Sequence, residues 1–198
     1  IINDSDDTEF VGYDALTSKT EVVKYRKVSA KGKDQYQLVL SSTPFYAEGG
    51  GQVGDTGVLV AESGEKIQVT DTKKENGLFI HYIDHLPYSL QGTFEAKVNS
   101  AKRKDTESNH SATHLLHAAL KQVLGSHVKQ KGSLVNADVL RFDISHFSKM
   151  TYEEIKAVED KVNEIILEGI DLMIKEMPIE EAKAMGAMAL FSEKYGDT

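Results

Sequence analysis

The stretch NHSATHLLH, residues 109–117, lies inside a long helical pattern and places two histidines four residues apart. Residues 101–124 contain no proline, and Gly125 follows them as a helix-terminating residue. On a helix, His110 and His114 share one face, with their Cβ atoms about 6 Å apart. Two imidazoles at this spacing can bind one Zn²⁺, at roughly 2.0–2.1 Å from each nitrogen.

The same stretch also fits an ordinary core helix, because Leu115, Leu116 and Leu120 are apolar at helical spacing. Most zinc sites take three or four protein ligands, and this stretch securely offers two. His117 is a third histidine on nearly the same face. From the spacing alone, a packed helix is favoured over a metal site.

On the N-terminal side of this helix, the sequence is typical of β-structure. Strands rich in β-branched and aromatic residues are predicted at residues 20–28, 35–40, 57–61, 66–70, 78–83 and 93–99, with a hairpin turn at residues 31–34. Several short strands without an intervening helix are typical of a small barrel. Residues 1–100 are therefore predicted to form a β-barrel domain.

On its C-terminal side, strands and helices are mixed. Strands are predicted at residues 128–134, 139–145 and 172–177, and helices at residues 152–169 and 179–185. Thr151 is the expected N-cap of the first of these helices, and Pro178 is a favoured residue at the start of the second. Residues 101–198 are therefore predicted to form an α/β domain, which makes the whole chain α+β.

A glycine-rich stretch, TPFYAEGGGQVGDTG at residues 43–57, is the second candidate for chemistry. Its glycines permit positive φ angles, and successive N–H groups in such a loop can bind an anion. It is not a Walker loop, because no Lys-Ser or Lys-Thr follows the glycines, and no helix follows as in a dinucleotide-binding fingerprint. The spacing alone favours a turn that joins two strands over an anion-binding loop.

The remaining histidines are expected to have structural roles. His81 and His85 are four residues apart, but a strand would separate them by about 13 Å, which is too far to share a metal. His127 and His146 flank predicted strands, and we expect them to be solvated or hydrogen-bonded.

The composition limits the class of protein. The chain has 198 residues, of which 40% are hydrophobic and 27% charged, and it contains no run of 18 apolar residues that would predict a membrane span. Because it contains no cysteine, disulfides and thiolate zinc sites are excluded within these residues, which fits a cytoplasmic protein. The net charge of −8 argues mildly against a non-specific nucleic-acid binder, and the basic run at residues 102–104 is expected to be solvated.

Taken in order, these stretches resemble the editing region of alanyl-tRNA synthetase. The resemblance covers essentially the whole chain and is carried by the glycine-rich and histidine stretches, together with FVGY at residues 10–13, HVKQKGSLVN at 127–136, LRFD at 140–143 and ALFSEKYGD at 189–197. Free-standing proteins that edit alanyl-tRNA share the glycine loop and the histidine pair. The second half also resembles the editing module of threonyl-tRNA synthetase, which implies an α/β editing domain of the second-additional-domain type.

The resemblance implies a function in the proofreading of translation. Alanyl-tRNA synthetase joins alanine to tRNA(Ala) with ATP, and its editing site hydrolyses the ester of seryl- or glycyl-tRNA(Ala) made in error. By this resemblance the partner is mischarged tRNA(Ala), and the ATP and Mg²⁺ of ligation belong to a separate aminoacylation domain. A non-catalytic tRNA-binding module and a purely structural connector are the alternatives.

The resemblance also implies roles for individual residues. His110 and His114 match the first two zinc ligands, Thr113 lies beside the pocket, and Gln52 matches a residue implicated in editing. Thr43 heads the glycine stretch and is expected to hydrogen-bond a serine hydroxyl. Catalytic roles are thus expected for Gln52, Thr113 and Thr43, and substrate contacts for Thr43, Gln52 and the glycines Gly49, Gly50 and Gly51.

The family's zinc site adds a Cys-x-x-x-His pair just beyond the stretch matching residues 195–197, and this sequence contains no cysteine. The chain is therefore expected to be a fragment that holds zinc weakly or not at all and hydrolyses seryl-tRNA poorly. The Zn²⁺ would activate water, polarise the ester or position the tRNA end, and the sequence does not choose among these roles.

Overall fold

The structure is a computed structural model that describes residues 8–30, 33–171, 173, 175 and 177–186. The predicted strand at residues 172–177 falls partly outside these residues, and the stretch at residues 189–197 lies wholly outside them. The described elements, in chain order, are β1 (Glu9–Phe10), β2 (Thr17–Thr20), β3 (Val22–Ala30), β4 (Lys33–Leu40), β5 (Ser42–Thr43), β6 (Gly57–Ala61), β7 (Lys66–Glu75), β8 (Leu78–Ile83), β9 (Phe94–Val98), α1 (Ser100–Leu124), β10 (Lys129–Val135), β11 (Leu140–Ser145), α2 (Tyr152–Glu168) and α3 (Ile179–Ala184).

Seven strands form one antiparallel sheet, in the order β2-β9-β6-β7-β8-β4-β3. The strand β2 ends at Thr20 and β3 begins at Val22, so the two outermost strands are separated in the chain by a single residue. Opposite edges of a sheet can come this close only if the sheet curls round. The predicted barrel is therefore confirmed in part, as a curled half-barrel in which the described residues of β2 and β3 do not pair with each other.

The inner face of the curled sheet forms the larger hydrophobic core. Along β7, Ile67 and Val69 are buried while Gln68 and Thr70 are exposed, which is the alternation of a strand with one face on a core. These side chains pack with Phe45, which follows β5, and with buried apolar residues of the other strands, including Val22, Leu38, Leu40, Leu59, Phe94 and Ala96.

Several strand ends differ from the sequence-based prediction. The strand β7 continues to Glu75, beyond the predicted end at residue 70, because its charged end pairs with Leu78 and Phe79 of β8. Pairing with a partner strand thus overrides the low β-propensity of Lys73, Lys74 and Glu75. The strand β4 begins inside the predicted turn, and β1, β2 and β5 are too short to leave a recognisable period in the sequence.

The second half of the chain packs two helices against a separate pair of antiparallel strands, β10 and β11. The Asn99 side chain caps α1 by accepting the N–H of Lys102 at 3.1 Å, and Gly125, with φ of 114°, ends the helix as predicted. Thr151 caps α2 in a capping box with Glu154, which confirms the predicted cap. The core here includes Ala119, Leu120, Val128 and Val158.

The observed architecture is α+β, as predicted, and the chain changes from strands to helix at Asn99. The division into domains at residues 1–100 and 101–198 stays a prediction, as does the editing-domain type of the second half. Within the described ranges, no helix is both long and apolar enough to cross a membrane.

Candidate functional site

The glycine-rich stretch folds into a tight turn centred on Gly50 and Gly51. The N–H of Gly49 donates to the Gln52 carbonyl at 3.0 Å, and the N–H of Gln52 donates back to the Gly49 carbonyl at 2.9 Å. The φ angles of Gly50 and Gly51 are 59° and 83°, the pair of positive values of a type I′ turn, which side-chain-bearing residues rarely adopt. We call residues 49–52 the glycine turn.

The backbone donors around the glycine turn are largely used within the protein. The N–H of Glu48 donates to the Thr72 carbonyl at 2.8 Å, and the N–H of Val53 donates to the Val135 carbonyl at 3.0 Å. The N–H groups of Gly49 and Gln52 are bonded across the turn, so these donors are directed at the protein and not at a ligand. The structure therefore favours the turn over the anion-binding loop that the sequence left open.

The glycine turn docks on the end of β10. The N–H of Val135 donates to the Gly51 carbonyl at 2.7 Å. A Cβ atom on Gly51 would lie 2.8 Å from the Cβ of Ser133, so a larger residue would push the turn off the strand. This contact joins the two halves of the chain and places Gln52 under α1.

Gln52 contacts the first histidine of α1. Its side chain is buried, at 5% exposure, and its Oε1 lies 2.7 Å from the Nδ1 of His110. Because an amide oxygen only accepts hydrogen bonds, Nδ1 of His110 carries the proton and any metal would bind through Nε2. Two residues 58 positions apart in the sequence thereby set the orientation of one imidazole ring.

The rings of His110 and His114 stack on each other, with centroids 5.1 Å apart and planes inclined by 10°. His110 is half-buried and His114 is exposed. The two rings therefore lie on one helix face, as the spacing predicts, and the first of them contacts Gln52 of the glycine turn. Their role as zinc ligands stays a prediction.

The donor set fits half of a zinc site. Among the residues that the structure describes, no group of three or more His, Cys, Asp or Glu side chains could hold a metal ion. His110 and His114 supply two imidazoles, and Gln52 supplies the partner that a metal-bound histidine usually has on its other nitrogen.

His117 does not join this pair. It is 4% exposed, its ring lies 5.2 Å from the ring of Phe142, and its Nε2 has no hydrogen-bond partner in the structure. Burial lowers the pKa of His117, so the imidazole is neutral at pH 7.

Thr113 lies on the buried side of α1, at 5% exposure. Its hydroxyl donates to the Asn109 carbonyl at 2.8 Å, one turn earlier in the helix. The Asn109 side chain donates in turn to the carbonyl of Asn136 at 2.8 Å, which fixes this part of the helix to the loop after β10. The catalytic role expected of Thr113 stays a prediction.

Thr43 lies in the core of the half-barrel and is fully buried. Its hydroxyl is 2.7 Å from Nε2 of His81 and accepts the N–H of Phe45 at 3.2 Å, while Nδ1 of His81 is 3.2 Å from the Leu38 carbonyl. The carbonyl can only accept, so Nδ1 of His81 donates and Nε2 accepts the Thr43 hydroxyl proton. The hydroxyl is therefore engaged in the core, and its substrate role stays a prediction.

The other histidine predictions hold. His127 Nε2 and His146 Nδ1 lie 2.9 Å apart, so these two residues form a hydrogen bond across the ends of β10 and β11. His81 is buried, whereas His85 is half exposed and lies 2.9 Å from Asp84, so the two share no site.

Arg103 and Asp55 form a buried ion pair, although the basic run at residues 102–104 was expected to be solvated. The helical period contained the missing signal. Before the apolar Ala119 and Leu120, the buried or half-buried residues of α1 include polar side chains that recur at intervals of three and four: Arg103, Thr106, His110, Thr113 and His117. A polar stripe at core spacing indicates a buried polar network.

Sequence comparison finds similarity to aminoacyl-tRNA ligases. The family described as tRNA synthetases class II (A) matches residues 1–106. The alanine–tRNA ligase of Cytophaga hutchinsonii is 63% identical over 198 residues, which are 100% of this chain and 22% of the relative. That of Porphyromonas gingivalis is 54% identical over 192 residues, 96% of this chain and 22% of the relative. That of Christiangramia forsetii is 51% identical over 199 residues, 100% of this chain and 23% of the relative. The chain thus spans about a fifth of the length of these relatives.

Proposed function

The chain belongs to the alanyl-tRNA synthetases of the class II (A) family, and from this premise we propose that it is the region of such an enzyme that edits mischarged tRNA. The substrate is tRNA(Ala) that carries serine or glycine in place of alanine. The reaction is hydrolysis of the ester between the amino acid and the tRNA. For the whole enzyme we propose ligation of alanine to tRNA(Ala) with ATP and Mg²⁺. We also propose that the whole enzyme is cytoplasmic.

The contact between Gln52 and His110 carries the proposal. The side chains of a glutamine from a β-turn and a histidine from a helix meet at 2.7 Å, and the glutamine is buried. If these two positions served only to pack the helix against the turn, apolar side chains would be sufficient. A buried amide that fixes one imidazole tautomer is typical of a site that positions a reacting group or a metal.

Editing at a second site solves a problem of selectivity. Serine is alanine with an added hydroxyl, and a pocket shaped for alanine rejects such an analogue by only about 10²-fold. A separate site that accepts the hydroxyl can remove serine after it has been attached. In hydrolysis the oxygen of water bonds to the ester carbonyl carbon, the bond to the ribose oxygen breaks, and that oxygen takes up a proton.

We propose a separate role for each residue of the site. Oε1 of Gln52 accepts a hydrogen bond from the Nδ1–H of His110, and so holds the ring with Nε2 on the side away from the Gln52 side chain. His110 and His114 would hold a Zn²⁺ ion, which supplies Lewis acidity toward the ester or water when bound. The close approach of Gly51 to Ser133 and Val135 holds the glycine turn, and with it Gln52, against β10.

A non-catalytic tRNA-binding module is the second candidate, and the incomplete zinc shell of the described residues favours it. Hydrolysis separates the two. Single-turnover assays with seryl-tRNA(Ala) and alanyl-tRNA(Ala) would measure the release of each amino acid. Editing predicts that serine is released faster than by spontaneous ester hydrolysis while alanine is not. Binding of both tRNAs without acceleration of either would favour the binding module.

A further inference from the structure

Four aromatic side chains cluster beside the glycine turn. Phe10 stacks on Phe79, with centroids 5.3 Å apart and planes inclined by 10°, and it makes edge contacts with Tyr13 at 5.0 Å and Tyr46 at 6.5 Å. The hydroxyl of Tyr46 donates to the Gly49 carbonyl at 3.3 Å, which connects the cluster to the turn. We call Phe10, Tyr13, Tyr46 and Phe79 the aromatic cluster.

Tyr13 is the outermost member of the aromatic cluster, at 84% exposure. Its backbone is nevertheless fixed. The N–H groups of Asp14 and Ala15 donate to the Val11 carbonyl at 3.2 and 3.0 Å, and Nη1 of Arg103 donates to the Gly12 carbonyl at 2.8 Å. An exposed aromatic ring on an anchored turn loses little conformational entropy when it binds a ligand.

A lysine supplies positive charge next to the aromatic cluster. Nζ of Lys74 lies 5.2 Å from the centroid of the Phe79 ring, and Lys74 forms no ion pair with the residues that the structure describes. The neighbouring Lys73 is different, because Glu48 at 3.0 Å and Asp71 at 3.6 Å offset its charge. Lys74 also lines a polar cleft between β7 and β10 that includes the glycine turn.

We propose that Tyr13 and Lys74 bind the unpaired 3′ end of the tRNA, with Tyr13 stacked on a base and Lys74 on a backbone phosphate. Proteins recognise single-stranded RNA by this combination of aromatic stacking and positive charge. The aromatic cluster lies against the glycine turn. In the proposed function, the ester at the 3′ end of the same tRNA is bound beside this turn. This inference rests on the proposed function and names the residues that hold its substrate.

A fluorescent base at the RNA terminus tests the stacking contact. The probe is an RNA hairpin with an unpaired 3′ end, in which 2-aminopurine replaces the terminal adenine. Binding of the chain should quench the fluorescence. Tyr13→Ala should weaken the affinity roughly 5- to 150-fold, the range expected for loss of one base–aromatic stack. Tyr13→Phe keeps the ring and should bind as the wild type does.

Tyr88 provides a matched control, because its side chain is 96% exposed and its N–H donates to Glu65, just before the start of β7. Lys74, whose Nζ lies over the Phe79 ring of the aromatic cluster, is nine residues further along the chain than Glu65, which is about 30 Å in an extended strand. Tyr88→Ala should therefore leave binding unchanged. Circular dichroism of Tyr13→Ala checks that the fold is retained.

Salt dependence tests the phosphate contact. Lys74→Gln should lower the slope of log Kd against log salt concentration by about 0.7, the value for one phosphate contact on a single strand. Lys66→Gln, an exposed lysine at the opposite end of β7, should leave the slope unchanged.

The outcomes separate this inference from the proposed function. If the wild type fails to bind the RNA probe, or if Tyr13→Ala binds it as tightly as the wild type, the inference is overturned, even if seryl-tRNA is still hydrolysed. If binding depends on Tyr13 and Lys74 but no seryl-tRNA is hydrolysed, the RNA site stands and the editing proposal fails.

Discussion

Arg103 and Asp55 form a buried ion pair that joins α1 to the loop after the glycine turn. Nε of Arg103 lies 3.1 and 2.8 Å from the two carboxylate oxygens of Asp55, and both side chains are less than 10% exposed. The guanidinium also donates to the carbonyls of Gly12 and Pro44, at 2.8 and 2.9 Å. One side chain thereby positions the helix, the glycine-rich stretch and the turn that carries Tyr13.

Arg103→Leu should lower the free energy of unfolding by about 3–5 kcal/mol, because it leaves Asp55 as a buried charge without its partner. Urea denaturation measures the change. The neighbouring Lys102 is exposed, so Lys102→Ala should change the stability by no more than about 0.5 kcal/mol. Equal unfolding midpoints for the two variants would show that the ion pair contributes nothing to stability.

Thr43→Val distinguishes a structural from a substrate-binding role for this hydroxyl. The resemblance predicts weaker discrimination of serine with folding spared. The contact with His81 predicts instead a loss of about 1–3 kcal/mol in stability, because the ring nitrogen is left buried without a partner. We expect the stability loss, with Thr70→Val on the exposed face of β7 as the control. Unchanged stability with lost serine hydrolysis would return Thr43 to the substrate site.

His81 should make the stability of the protein depend on pH. Burial lowers the pKa of His81 from 6.5 to about 4, so between these values the unfolded chain binds a proton that the folded chain does not. Stability is therefore complete above pH 6.5 and falls as the pH is lowered, by about 3 kcal/mol at pH 4.

Denaturation at a series of pH values tests this dependence. His81→Gln should flatten the dependence between pH 4 and 6.5, whatever its effect on absolute stability. His85→Gln, which changes a half-exposed ring, should leave the wild-type slope in place. A slope that survives in His81→Gln would assign it to other groups.

Zinc should bind this chain weakly and through α1. Two imidazoles leave half of a tetrahedral shell to water, and His110 Nδ1 is already bonded to Gln52. Titration with Zn²⁺ should show binding that dialysis against a chelator removes, and His110→Ala and His114→Ala should abolish it. His127→Ala, from the separate histidine pair, should not. One zinc ion per chain retained through dialysis would mean that a further ligand completes the site.

The local patterns of the sequence predicted the helices and the longer strands, because hydrophobic periodicity and capping residues determine them. They also favoured a turn in the glycine-rich stretch, because glycines permit the positive φ angles that Gly50 and Gly51 adopt. They did not predict the long end of β7 or the contact of Arg103 with Asp55. These depend on strands and loops that are distant in the chain, and a single sequence does not show which distant charge a buried arginine will meet.

In the candidate site, too, local spacing was predictable from the sequence and contacts between distant residues were not. The spacing of His110 and His114 predicts that they share a helix face, whereas it gives no sign of the contact between His110 and Gln52, which lie 58 positions apart in the sequence. Neither the spacing nor the resemblance predicts the surroundings of Thr43. Its hydroxyl contacts His81 of β8, which is a neighbour only in the folded sheet.

The most direct test of the account is the rate of seryl-tRNA(Ala) hydrolysis by the Gln52→Ala variant. If Gln52 holds His110 in its working orientation, single-turnover hydrolysis should fall by about 10- to 100-fold, the usual effect of removing such a partner. Gln91→Ala, at an exposed glutamine in the loop before β9, should keep the wild-type rate. Equal rates for wild type and Gln52→Ala, or a wild-type rate no faster than spontaneous ester hydrolysis, would contradict the editing site proposed at this contact.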